Sequence, residues 1–363
     1  MIKISAPIIE AEEIQAATEV LKSGFLTQGP KVRELEAAFA NYCGSKHAIA
    51  VSSGTAAIHA SLIAAGIGRG DEVITTPYSF IATINPILVV GAKPILVDIE
   101  PDTFNINPDL IKKAITNKTK AIIPVDLYGQ PADYAAIKAI AEEAGLVIIE
   151  DACQSVGAEY DSHKTGNLAD LGCFSLYATK NIMAGEGGIV TTNNDEYEAK
   201  VRRYRQHGMT AQYEYKDVGL NYRMTDLHAS IAVEQLKKVT RFNEARKKNA
   251  ELLDKGLKDV DGLIIPPRAK DRSHVFHQYT IRITNGFPLD RDKFVAALKD
   301  KNIMTGIYYP KPLHFYNHVA ELGYKPGDFP ESELAAQQSI SLPIHPALTT
   351  EEIKYIIKVI REF

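Results

Sequence analysis

The 363-residue chain is predicted to be an α/β protein with one large, mostly parallel sheet covered by helices on both faces, followed by a smaller α+β part. Two observations lead there. Short, continuously apolar runs, which read as strands buried on both faces, alternate with stretches of helical spacing that read as crossovers. Beyond about Met224 that alternation gives way to a long charged helix, "AVEQLKKVTRFNEARKKNAELLDKGL", and an alternating strand, "HQYTIRI". No Gly/Ser linker separates the two parts, so residues 1–235 and 236–363 are expected to be closely packed domains.

In chain order, "EEIQAATEVLKSG" and "VRELEAAFANYCG" come first, two helices that each stop at a glycine. The strands "HAIAVS", "EVITT", "KPILVD", "KAIIPV", "LVIIE", "GCFSLY" and "GGIVTT" follow, with helices expected from Gly54, Ser79 and Ala132 between them. "GIGRGD" looks like a nucleotide glycine loop, but it precedes a strand instead of following one and is read as a turn. Neither an internal repeat nor a low-complexity tract interrupts this order.

Composition narrows the function. With 45% hydrophobic and 24% charged residues, the chain can build a globular core. Forty-one basic against 45 acidic residues leave a net charge of -4, so no nucleic-acid partner is expected. Cys43, Cys153 and Cys173 show neither an even disulfide framework nor metal-type spacing. No signal-like leader and no stretch near the ~18 apolar residues of a membrane span is present, so a cytoplasmic protein is expected. HExxH, P-loop and GxSxG patterns are absent, and no metal is expected.

Ligands of such sheets sit beyond the carboxyl ends of the strands. That rule selects Ser53, Gly54 and Thr55, then Pro77 to Phe80, then Asp151 and Gln154, then Ser175 to Lys180. Each has a plain alternative: Lys180 as a solvated lysine, Asp151 as a helix N-cap in "DACQSVGA", Ser-Gly-Thr as an ordinary cap. Together they suit a pyridine cofactor. A lysine can hold its aldehyde as a Schiff base, a carboxylate can keep the ring nitrogen protonated, and a helix N-terminus can hold a phosphate. His314 in "PKPLHF" and His345 in "LPIHP" read as loop supports rather than metal ligands.

The segments "SGTAAIHASL", "PYSFIATINPI", "VDIEPDTFNI", "IIEDACQSVGA", "CFSLYATKNIMAGEGGIV", "GLNYRMTDLHASIAVEQLKKV" and "LPIHPALTTEEI" occur in the order found in sugar aminotransferases. Over essentially its full length the chain resembles the DegT/DnrJ/EryC1/StrS family of pyridoxal 5'-phosphate (PLP) enzymes. The resemblance implies a fold-type I transferase and a homodimer with shared active sites. It implies that Lys180 carries the cofactor, Asp151 pairs with the ring nitrogen, Gln154 contacts the ring hydroxyl and Phe80 stacks on the ring. Gly54, Thr55 and Ser175 would hold the phosphate, with Asn221 reaching in from the partner subunit, and Arg223 would hold an anionic group of the substrate. The presence of lysine, where sugar dehydratases of the family carry histidine, favours transamination.

Substrates implied by the resemblance are glutamate as amino donor and a nucleotide-linked keto sugar as acceptor. The run "GIYYPKPLHF" is similar to members that aminate C-3, which points to a UDP-linked N-acetylhexosamine derivative and makes His314 a substrate-binding candidate. The glutamine usual shortly after that histidine is missing from "HFYNH". C-4 amination of a 4-keto-6-deoxy sugar is the alternative among enzymes. A non-catalytic, PLP-binding regulatory protein is the alternative of another class.

Overall fold

In the computed structural model, which describes residues 1–363, a seven-stranded sheet forms the centre. Its order is His47–Val51, Gly188–Thr192, Leu171–Ser175, Val147–Asp151, Thr119–Ile122, Glu72–Thr75, Lys93–Leu96. Gly188–Thr192 runs antiparallel to both its neighbours, and the other adjacent pairs are parallel. The strands are apolar on both faces because both faces are covered. Ile49, Val51, Ile149 and Val190 pack under the helix Gly54–Ala64. On the other side Ala48, Phe174 and Ile189 meet Leu35 and Phe39 of Pro30–Cys43 and the start of the helix Asp226–Leu257.

Several boundaries have identifiable local causes. The helices Ala11–Ser23 and Pro30–Cys43 end at Gly24 and Gly44, both left-handed, with φ of 73° and 74°. Ser53 caps Gly54–Ala64 by accepting from the Ala56 N–H, and Thr225 caps the long helix by accepting from the His228 N–H. The helix expected from Ser79 is instead a short 3₁₀ turn, Ile81–Thr83, and a five-residue helix, Asn85–Val89. Pro86 lies at the start of that second piece, so it is confined to the first turn of a new helix. "GIGRGD" is a turn, closed by a bond from the Gly68 N–H to the Asp71 carboxylate at 2.9 Å.

Leu263–Ile264, Tyr279–Ile283 and Ser339–Leu342 form a second, three-stranded sheet. The helices Arg291–Asp300 and Thr350–Ile360 accompany it. Asp226–Leu257 is one continuous helix through residues 235 and 236. Its first half, including Ala229, Val233 and Phe242, belongs to the core of the large sheet, and Ala250, Leu253 and Leu257 belong to the core of the small one. Ile2 also packs in that second core, so the N-terminus is tied to the C-terminal part.

Candidate active site

Asp151 ends the Val147–Asp151 strand and is 5% exposed. Because strand side chains alternate, Glu150 points to the opposite side, into a wholly buried cluster with Asp126. Asp151 Oδ2 accepts from Thr83 Oγ1 at 2.8 Å, and Thr83 Oγ1 is 2.8 Å from Ser79 Oγ. Asp151 Oδ1 accepts from the Cys153 N–H at 3.3 Å. No helix begins there; "DACQSVGA" is a series of turns, so capping does not account for Asp151.

The neighbouring strand, Leu171–Ser175, pairs Cys173 with Asp151 and leads into the loop that carries Lys180. That loop folds back on itself. Leu176 N–H donates to Gly187 O and Ala184 N–H to Leu176 O, both at 2.8 Å, and Gly185 and Gly187 have φ of 87° and 157°. Lys180 is only partly exposed. Burial holds its amine below the usual lysine range, with the nearby Asp151 carboxylate opposing that shift. Asn181 anchors the loop: its Nδ2 donates to Asn243 Oδ1 and Val275 O, and its Oδ1 is 3.2 Å from His277 Nδ1.

Gln154 is buried with its amide orientation fixed. Its Oε1 accepts from the Tyr128 N–H and its Nε2 donates to Tyr309 Oη, both at 2.9 Å. A second Nε2 hydrogen remains for another acceptor. Phe80 is 61% exposed, a large aromatic face uncovered just before the turn Ile81–Thr83. Gly54 opens its helix, where the first amides have no intrahelical acceptor. A side chain there would meet Cys153 Sγ and Ser175 Cβ at 2.9 Å, so glycine keeps a cradle open between Thr55 and Ser175. Ser175 itself is half-buried and Thr55 exposed.

Three candidates lie outside this group. Tyr222 turns into its own subunit, its hydroxyl 2.8 Å from His59 Nδ1, and leaves Asn221 exposed and Arg223 half-buried beside it. Asn221 Oδ1 accepts only from the Arg223 N–H, at 3.4 Å. His314 is 1% exposed, its Nε2 is 3.0 Å from Glu333 Oε1, and it packs against Phe315 and Phe329. The imidazole is therefore an internal prop of its loop, and the structure does not bring it to the opening where a substrate would sit.

Four groups that touch these residues escaped the sequence reading: Thr83, Tyr128, Tyr309 and the Asn181–Asn243–His277 anchor. The spacing of Ser79 and Thr83 and the tyrosines of "GIYYP" were visible signals. Asn243 and His277 carried none, being brought to the loop from distant elements.

A profile of the DegT/DnrJ/EryC1/StrS aminotransferase family matches residues 7–361. The chain belongs to this family. It is 44% identical over 358 residues to a Geobacillus stearothermophilus protein named pleiotropic regulatory protein, with 98% of this chain and 95% of that one covered. It is 40% identical over 338 residues to the UDP-2-acetamido-2-deoxy-3-oxo-D-glucuronate aminotransferase of Pseudomonas aeruginosa, covering 93% and 92%. The PLP-form structure of a putative sugar aminotransferase from Streptococcus pneumoniae, Spr1654, superposes with a TM-score of 0.94 at 30% identity, covering 99% and 98%.

As a member of the DegT/DnrJ/EryC1/StrS family, the protein is a PLP-dependent sugar aminotransferase with the fold-type I architecture. No helix is long and apolar enough to cross a membrane. The site fits the family's cofactor on its own geometry. An open cradle at Gly54 suits a phosphate, the uncovered Phe80 face suits a ring, the fixed Asp151 carboxylate suits a pyridinium, and Lys180 supplies an amine. The one cluster of acids dense enough to suggest a metal, Glu10, Glu12 and Glu13, is gathered around Lys238 and Arg241 instead.

Proposed function

We propose that the protein transfers the amino group of glutamate to the keto carbon of a nucleotide-linked sugar, a 3-keto UDP-N-acetylhexosamine derivative. The observation that carries the substrate reading is the 40% identity, over nearly both whole chains, to the Pseudomonas relative named for a UDP-linked 3-oxo sugar acid. The cytoplasm, where nucleotide sugars are made, is the proposed place of action.

Bound PLP supplies an electrophilic aldehyde and a ring that accepts electrons. Lys180 would hold that aldehyde through Nζ. When free, its amine could accept the proton from the donor's α-carbon and deliver it to the carbon that comes from the aldehyde, a role that its lowered proton affinity would assist. Asp151, held by hydrogen bonds from Thr83 to Oδ2 and from the Cys153 amide to Oδ1, would place its charge against the ring nitrogen. Gln154 would offer its remaining N–H to the ring hydroxyl, Phe80 would shield one ring face from water, and Gly54, Thr55 and Ser175 would hold the phosphate. We further propose a homodimer, in which Asn221 of the partner subunit completes the phosphate site and Arg223 of the partner subunit meets the anionic part of the sugar nucleotide.

Incubation with glutamate and a panel of 3-keto and 4-keto nucleotide sugars, with products read by NMR, tests the assignment. A 3-amino sugar is expected. Turnover of 4-keto sugars alone would overturn the C-3 reading and leave aminotransfer intact.

A further inference from the structure

Tyr309 is 8% exposed and packs in an aromatic cluster, its ring centroid 5.3 Å from that of Tyr78 and 5.9 Å from that of Tyr128. Both ends of its loop are fixed. Gly306 exchanges backbone bonds of 3.0 and 2.8 Å with Ser341 of the smaller sheet. At the other end the Leu313 N–H donates to the carbonyl of Pro77, just past the Glu72–Thr75 strand, at 2.7 Å. The loop therefore carries Tyr309 from the smaller sheet to the strand ends of the larger one.

Within the cluster the hydroxyls of Tyr78 and Tyr128 bond to each other, 3.1 Å apart. The Tyr309 hydroxyl accepts from Gln154 Nε2 at 2.9 Å and donates to no group of the chain. Gln154 in turn spends its Oε1 on the Tyr128 N–H and one Nε2 hydrogen on Tyr309. Two donor hydrogens are thus left over on atoms 2.9 Å apart, the second N–H of Gln154 and the O–H of Tyr309. A buried donor without an acceptor is costly, and two side by side suit an oxygen that carries charge and no hydrogen of its own. Burial raises the Tyr309 pKa, the bond from Gln154 opposing that shift and the Asp151 charge adding to it, so the hydroxyl keeps its hydrogen.

We propose that Tyr309 is a second hydrogen-bond donor to the ring oxygen of bound PLP, beside Gln154. This deepens the aminotransfer reading and rests on its cofactor. The tyrosine of "GIYYPKP" then acts on the cofactor rather than on the sugar, and the ring oxygen is held as an anion by one donor from each side of the site.

The test uses wild type, Tyr309→Phe, Gln154→Leu and the double variant. Cofactor-free protein is titrated calorimetrically with pyridoxamine phosphate, which has the ring hydroxyl and no aldehyde, and with its 3-deoxy analogue. Wild type should prefer pyridoxamine phosphate about 100-fold, each single variant about 10-fold, and the double variant not at all. A tyrosine that only braces Gln154 predicts that Gln154→Leu alone abolishes the preference, and that result would overturn the proposal. So would a preference unchanged in folded Tyr309→Phe. Melting curves establish folding; if Tyr309→Phe does not fold, the preference kept by Gln154→Leu decides. In PLP-loaded protein, the pH at which the lysine-bound band changes form should rise by about one to two units in Tyr309→Phe. A ring oxygen relieved of one donor holds a neighbouring proton more tightly. A wild type that never forms that band would overturn the assignment of Lys180 instead, and the pyridoxamine phosphate titrations would still decide Tyr309.

Discussion

At the scale of single residues, Gly54 and Glu150 show how closely the site depends on what lies beneath it. A methyl group at Gly54 would press on Cys153 Sγ and Ser175 Cβ at 2.9 Å, and overpacking of that kind costs about 1–3 kcal/mol. Gly54→Ala should therefore lower the melting temperature and release PLP at lower dilution than wild type, as a cofactor titration would show; a variant that holds PLP equally well would mean the phosphate lies elsewhere. Glu150 and Asp126 are both wholly buried with no cation beside them; burial, with the Asp151 charge adding to it, raises Asp126 to about 7, and burial, with the Asp126 charge adding to it, raises Glu150 well above its usual range. The folded state thus binds protons more tightly than the unfolded chain. The stability this gives is complete at low pH, below the unfolded carboxylate values, and is lost as pH rises through about 7 and above. Glu150→Gln keeps the shape and removes that proton site, so wild type should lose on the order of 1–3 kcal/mol more than the variant between about pH 6 and about pH 9. Parallel stability profiles would show that the pair does not share a proton.

At the scale of elements, the turn Ile81–Thr83 matters more than its length suggests, because it aims Thr83 Oγ1 at Asp151 while Ser79 supports Thr83 from behind. Thr83→Val preserves the shape and deletes the donor; loss of a hydrogen bond to a charged group should slow glutamate conversion about 10-fold with PLP retained. Unchanged conversion would show that Asp151 is held without it. This turn also marks where the sequence stopped being legible. Continuous apolar strands and glycine stops made the large sheet readable, since both are local consequences of burial and of left-handed backbone. The strand-end rule located Asp151, Gln154, Gly54 and Phe80, because side chains just past a strand end have few other places to point. Ser79 looked like a helix start because Pro86, which splits the segment, lies seven residues further on in an otherwise helical pattern. His314 reads both as a loop support and as a substrate-binding candidate, because nothing in "PKPLHF" discloses that Glu333 and Phe329 enclose it. The reversed direction of Gly188–Thr192 was likewise invisible, as it depends on the short return from the Lys180 loop rather than on residue type.

At the scale of the whole molecule, one helix joins two cores. Asp226–Leu257 carries Asn243, which anchors the lysine loop through Asn181, and ends among the residues packed on the smaller sheet. The proposed dimer adds a second dependence, since Asn221 is exposed on its own subunit with the half-buried Arg223 beside it. Mixing Lys180→Ala with Asn221→Asp, each nearly inactive alone, should restore about a quarter of wild-type activity, because half the random dimers would carry one intact site. No recovery after subunit exchange would mean that each site is built from one chain. Beneath all of this lies the claim that Lys180 is the amine that carries the cofactor. The most direct measurement is the absorbance spectrum of the purified protein with PLP, before and after glutamate, beside Lys180→Ala. The expected result is a lysine-bound cofactor band in wild type that glutamate converts to the pyridoxamine form, and no such band in the variant. A wild-type protein that never forms the band, or a variant that forms it equally, would contradict the assignment of Lys180.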